Sequence, residues 1–186
     1  LLEFSKEAVA RAHRAMPAWA EFVPKAEVVV EPIPDYLEKT ASSGYQSGAL
    51  DGSRPGVYMI NLYRPEDQAK VQAELTAYHE TYPGHHFQIS VSAELPRPHL
   101  ITRLVACGSY IEGWARYAEA LAEEMGLFST DLARINRRLW PAHGMVVDPG
   151  LHVLGWTKER SVAYVLATGR FSPHEAASLV DRIIAW

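Results

Sequence analysis

A mainly α-helical chain with a small β-sheet, an α+β fold, is what this sequence predicts, and three observations carry the prediction. Apolar residues recur at spacings of three and four along most of its length. Only two runs, 26–31 and 56–63, have the β-branched and aromatic density of strands, and Pro or Gly stands at the junctions between segments. With 186 residues, 48% of them hydrophobic and 22% charged, the chain is long enough to bury one core of ordinary size.

Taken in order, Phe4, Ala8, Ala12, Ala15, Trp19 and Phe22 mark an amphipathic helix over residues 3–22, with Pro17 as a kink. Residues 26–31 read as a short strand closed by Pro32 and Pro34. The Ser-, Gly- and Asp-rich residues 41–55 read as a long surface connection, of the kind that in a compact domain is functional or mobile. Residues 56–63 follow as a strand stopped by Pro65 and are expected to offer an edge to an extended peptide, with Tyr58 and Asn61 as substrate-binding residues.

Residues 66–82 read as a helix with Glu66 and Asp67 in its first turn, interrupted by Pro83-Gly84. Past a loop carrying Pro96 and Pro98, a helix is expected from about residue 101 to 125, ended by Gly126, with further helices near 130–139 and 157–168. A last helix begins at Ser172-Pro173, a good N-cap followed by a residue suited to the first helical position. The chain starts within a helix and stops at the apolar Ile183-Ile184-Ala185-Trp186, so residues 1–186 are expected to be part of a single domain truncated at both ends.

Charge and cysteine content exclude several functions. A net charge of -4, a pI near 6.1 and dispersed Lys and Arg residues leave no footprint for nucleic acid. Cys107 is alone, which rules out an internal disulfide and a Cys-rich zinc knot; it is expected to be a buried, inert thiol. Any metal must therefore be held by His and carboxylate groups. No apolar run approaches 18 residues, so no membrane insertion is expected in this segment.

The run His79-Glu80-Thr81-Tyr82-Pro83-Gly84-His85-His86-Phe87-Gln88 carries the chemistry. A helical His-Glu-x-x-His puts two imidazoles one turn apart, within reach of one zinc ion, with the Glu beside them as a base. Here Pro83 occupies the position of the second histidine. In an unbroken helix His85 would lie roughly 9 Å along the axis from His79, and His86 about 10.5 Å, too far to share an ion. Pro83 cannot donate to the His79 carbonyl and Gly84 tolerates unusual backbone angles, so a bend or bulge is expected that delivers His85, or alternatively His86, to the second ligand position. The third ligand is sought on another element. Glu112, beside Gly113 in an otherwise apolar stretch, is favoured as a buried carboxylate in need of a partner. Glu119, seven residues on and on nearly the same face, is the alternative ligand or a group that holds a histidine tautomer.

These motifs, together with Leu50-Asp51-Gly52-Ser53-Arg54-Pro55-Gly56, Glu112-Gly113-Trp114-Ala115-x-Tyr117-x-Glu119 and Val147-Asp148-x-Gly150-x-His152-x-x-Gly155-Trp156, closely resemble the bacterial domain-of-unknown-function family numbered 885. That family is grouped with the zincin-like peptidases. The resemblance implies a gluzincin-like site of two histidines and a glutamate, here His79, His85 and Glu112 on zinc (Zn2+). It also implies a mostly helical protein about three times this length, and it points to the bacterial envelope or secretion. In such a site Glu80 acts as general base toward a zinc-activated water that attacks a peptide or small amide substrate, with His152 first, then Tyr117 or Tyr82, as oxyanion donors. Two rivals are a non-catalytic peptide-binding module with a structural or lost zinc site, and a metal-dependent hydrolase of a non-peptide substrate. A structural zinc would be closed by a fourth protein ligand, which separates the first rival from an enzyme.

Overall fold

The computed structural model describes residues 1–96, 101, 107–139 and 142–185, and the chain divides into two compact units, Leu1–Arg138 and Leu139–Trp186. In the first unit α1 (Leu2–Ala15) runs into a 3-10 turn (Met16–Ala18). The helix read as far as residue 22 thus ends early, because Pro17 has no N–H to continue the ladder. There follow β1 (Val28–Pro32), β2 (Gly44–Gln46), β3 (Gly56–Ile60), a 3-10 turn (Pro65–Asp67), α2 (Lys70–Glu80), α3 (His85–Glu94), α4 (Gly108–Glu124) and α5 (Asp131–Arg138).

The three strands lie in the order β1-β3-β2, with β1 parallel to β3 and β2 antiparallel to it. This overturns the expectation that residues 56–63 form an open edge. β3 is the central strand, paired on both sides, with Val30 and Tyr45 both opposite Tyr58. The pairing partner that displaces it from the edge, β2, is only three residues long and lies inside the Ser- and Gly-rich stretch read as pure connection. Its pairing rests on β3 rather than on any apolar alternation of its own. Tyr58, expected to face substrate, is a core residue at 1% exposure.

The core of this unit joins Ala8, Val9 and Ala12 of α1, Tyr58 and Ile60 of β3, Ala77 and Tyr78 of α2, and Ala122 of α4. Alanines at these crossings let α2 lie close against α1 and α4, and α2 also packs on α5. The register of α2 is pinned by Glu74, which is fully buried. Its carboxylate accepts from Arg11 Nη2, from the Ser129 N–H at 3.0 Å and from the Ser129 hydroxyl at 2.9 Å. Arg11 in turn reaches the Tyr78 hydroxyl at 2.6 Å and the Leu127 carbonyl at 3.0 Å. Removing one partner of such a pair strands the other, so Glu74→Ala should cost about 3 kcal/mol in a urea titration. A cost below ~1 kcal/mol would show that α2 is held by its apolar face alone.

In the second unit α6 (His143–His152), α7 (Lys158–Ala167) and α8 (Pro173–Ala185) enclose Val147, Val165, Ala176, Val180 and Ile183. The start of α8 follows the sequence expectation. Ser172 Oγ accepts the Glu175 N–H at 3.3 Å and the Glu175 carboxylate accepts the Ser172 N–H at 2.8 Å, a reciprocal capping box. The expected beginning of α4 near residue 101 lies largely outside the described residues. Cys107, expected to be buried, is exposed just before α4. Among the described residues no helix is long and apolar enough to cross a membrane.

Candidate metal centre

The site is assembled where α2 ends and α3 begins. Instead of a bulge within one helix, residues 81–84 leave the helical path and two separate helices flank them. Gly84 makes this possible by close approach. Its N–H donates to the Tyr78 carbonyl at 3.1 Å, and a β-carbon on it would lie 1.9 Å from the His79 carbonyl oxygen. No side chain other than hydrogen fits that gap. Gly84→Ala should therefore destabilise the protein by about 3 kcal/mol or more in denaturant, through overpacking that forces the two helix ends apart. The turn is also tied to α4, because the Trp114 indole N–H donates to the Pro83 carbonyl at 2.9 Å.

With the helices broken this way, His79, His85 and Glu112 converge. The His79 and His85 rings lie 4.8 Å apart, centre to centre, and nearly perpendicular at 86°. His79 Nε2 is 3.4 Å from Glu112 Oε2, and His85 Nε2 is 3.6 Å from Glu112 Oε1. One ligand atom from each residue falls within 4.8 Å of the others. A tetrahedral zinc with ligands at ~2.0–2.1 Å spaces its donor atoms about 3.3 Å apart. The two carboxylate–imidazole distances, each to a different oxygen of Glu112, lie near that spacing, while the set with one atom from each residue is wider at up to 4.8 Å; two imidazoles and a carboxylate are a donor set that suits zinc once they close by about an ångström.

Glu112 is not the buried carboxylate the sequence suggested. Its side chain is 64% exposed, whereas that of Glu119 is 2% exposed. The inward face of α4 is made by Ala115, Ala118, Glu119 and Ala122, which leaves Glu112 at the rim. Glu119 accepts the His79 Nδ1–H at 2.8 Å and is paired with Arg116. That contact fixes the His79 tautomer and leaves Nε2 for an ion, the role expected of a supporting carboxylate.

His86, the alternative second ligand, is not among the three residues that converge, and both its nitrogens are engaged elsewhere. It is fully buried, and its Nε2 faces the Ala26 carbonyl at 3.1 Å and the Tyr82 hydroxyl at 3.1 Å. A carbonyl only accepts, so Nε2 carries the proton and Nδ1 accepts from the Tyr45 hydroxyl at 2.9 Å. Burial holds this imidazole down at about 4, against the pull of the Ala26 carbonyl. The contact with Tyr45 ties α3 to β2.

Electrostatics separate the remaining groups. Burial would pull His79 down, but its hydrogen bonds to Glu112 and Glu119 and the charge of Glu80 outweigh this and raise it to about 9. His85 is lowered by burial and by the neighbouring His79, with Glu112 opposing. Glu80, at 9% exposure, is raised to about 7 chiefly by burial. His79 opposes that shift, Glu112 adds to it, and the backbone N–H of Tyr45 also favours the ionised form. A carboxylate balanced near neutrality beside a three-donor cluster is suited to receive and return a proton.

Asn61, Tyr117 and His152 were also expected at the site. Asn61 is spent locally, its amide donating to the Glu38 and Ala41 carbonyls, each at 2.7 Å, while its oxygen accepts the Tyr63 N–H at 2.7 Å. Tyr117 is 55% exposed on α4 and lies against Trp114 with ring centres 5.7 Å apart. His152 belongs to the second unit, where it ends α6 and its Nε2 contacts the Ile183 carbonyl at 3.0 Å. Tyr45 and Trp114 escaped the sequence reading as site residues. Tyr45 gives no signal, and Trp114 only its place two residues after Glu112.

Residues 1–186 match the model of a family described as "Bacterial protein of unknown function (DUF885)". Among solved structures the chain is similar to the "putative lipoprotein" from Colwellia psychrerythraea, with 30% identity and a TM-score of 0.91. That match covers 100% of this chain and 32% of the Colwellia chain, so the sequence spans about a third of that relative. No curated protein matches it.

Proposed function

The chain belongs to the bacterial family DUF885, and from the chemistry of its site we propose that it is a zinc-dependent hydrolase of peptide bonds, with Glu80 as general base. The observation that carries this reading is the convergence of His79, His85 and Glu112, with ligand atoms within 4.8 Å of one another, directly beside a buried carboxylate held near neutrality. His79 and His85 through Nε2 and Glu112 through its carboxylate would hold the ion. Zinc in such a three-ligand site supplies Lewis acidity and lowers the pKa of water to about 7.

The protein's own residues supply the rest. Glu80 takes a proton from the attacking water and returns it to the leaving nitrogen. Glu119 keeps His79 oriented, and Arg116 holds Glu119. An extended substrate has an open strand edge at β2 rather than at β3. β2 is terminal in the sheet, and the Tyr45 N–H faces Glu80, which brings that edge next to the base. The test is a mixture of short peptides and matched esters given to the zinc-loaded protein, with and without a chelator. Chelator-sensitive peptide cleavage supports the proposal. Ester-only hydrolysis points to a non-peptide substrate, and binding without cleavage to a recognition module.

A further inference from the structure

Two buried polar atoms without a hydrogen-bond partner among the described residues lie on α3, one helical turn apart: Nδ1 of His85 and Oε1 of Gln88. Both side chains are nearly inaccessible, at 7% exposure each. Unpaired buried groups are costly and uncommon, so two at positions i and i+3 of one helix, one able to donate and the other to accept, call for a common explanation. The two atoms are not hydrogen-bonded to each other in the structure, but they stand at positions i and i+3 of one helix, where a rotation within the Gln88 side chain brings its carbonyl to the His85 ring. Its amide is held on the other side only loosely, by a 3.5 Å approach of Nε2 to the Tyr110 carbonyl at the edge of hydrogen-bond range.

We propose that Gln88 is a positioning residue for the metal centre: when the ion is bound, its side-chain carbonyl rotates to accept the Nδ1–H of His85, the part that Glu119 already plays for His79, and so presents His85 Nε2 to the ion. The inference rests on the zinc reading of the site. An imidazole that offers Nε2 to a metal must carry its proton on Nδ1, and that N–H needs an acceptor. For His79 the acceptor is Glu119 at 2.8 Å. For His85, Gln88 is the one the helix supplies. The two supports differ in charge, a carboxylate behind one ligand and a neutral amide behind the other.

The experiment measures zinc affinity by competition with a chromophoric chelator, in the full chain, for the wild type, Gln88→Met and Gln88→Glu. Methionine keeps the length and removes the acceptor; glutamate keeps the acceptor and strengthens it. Gln88→Met should lower affinity by about 10- to 100-fold, and Gln88→Glu should hold it within a few-fold of the wild type or raise it. In ¹⁵N-edited spectra of the zinc-loaded protein, the His85 Nδ1–H should be protected from exchange in the wild type and in Gln88→Glu, and exchange fast in Gln88→Met. A structural role alone would not produce that pattern. Equal affinity and equal protection in the wild type and Gln88→Met overturn the inference while leaving the zinc site standing. A wild type that takes up no zinc overturns both.

Discussion

The wild-type chain should take up about one zinc ion, and His79→Ala, His85→Ala and Glu112→Ala should each weaken that uptake by roughly 10²–10³-fold. Zinc binding to a four-ligand peptide site is worth about 10–16 kcal/mol in apparent free energy, so each ligand accounts for about 2.5–4 kcal/mol. Elemental analysis of the purified protein gives the stoichiometry, and chelator competition gives the loss. His86→Ala is the control that makes the series informative. Its nitrogens are committed to Ala26, Tyr82 and Tyr45, so the variant should lose stability while the remaining folded protein binds zinc within a few-fold of the wild type. Equal losses for His85→Ala and His86→Ala would mean that the series reads folding rather than ligation. A wild type free of zinc would remove the enzyme proposal altogether.

Glu80→Gln should reduce peptide turnover by about 10²–10⁴-fold without changing zinc content, because the amide keeps the shape of the carboxylate but cannot take a proton. Turnover within tenfold of the wild type would remove Glu80 from the role of base. The same variant makes an opposite prediction for stability. Burial raises the Glu80 carboxyl from 4.5 to about 7 in the folded protein. A folded-state value above the unfolded one means that its contribution is fully present below about 4.5 and is lost as pH rises through 7. At pH 8 a buried, ionised Glu80 therefore destabilises the metal-free fold, by a few kcal/mol at the order-of-magnitude level. Urea titrations of chelator-treated protein should find Glu80→Gln more stable than the wild type at pH 8, with the gap closing toward pH 4. That outcome is what a base retained at some expense of stability would give.

How far the sequence revealed this arrangement depended on whether the signal was local. The reciprocal cap of Ser172 and Glu175 is written within four residues and could be read directly. The disruption at Pro83-Gly84 was equally local, since a proline cannot continue the α2 ladder. The choice between His85 and His86 was not, because it turns on what lies opposite each ring: the Ala26 carbonyl and Tyr45 for His86, Glu112 for His85. Strand β2 was hidden because three residues, Gly-Tyr-Gln, show no periodicity, and their pairing is imposed by β3. Helix α6 was hidden because Pro149 and Gly150 lie inside it. Gly150 there meets the Trp156 ring so closely that a β-carbon would come within 2.7 Å of it, a packing reason that no propensity scale contains. Glu112 was singled out as a buried carboxylate, and the structure places it beside both imidazoles but exposed. Its apolar neighbours in sequence face other sides of α4, and its value to the site comes from standing at an open rim.

The four-residue break that joins α2 to α3 also shapes how metal and folding are linked. It keeps His79, His85 and His86 within eight consecutive residues, and an unfolded chain retains that local density of imidazole even though every long-range contact is gone. Glu112, 33 positions from His79, is brought in only by the packing of α4. On the zinc proposal, an ion would find donors in the denatured ensemble as well as in the native one, and only the difference between those two affinities would act on the unfolding equilibrium. The rise in melting temperature with added zinc should accordingly fall short of what the native dissociation constant alone would give. Glu112→Ala, which removes the one donor available only to the folded chain, should reduce that rise further still.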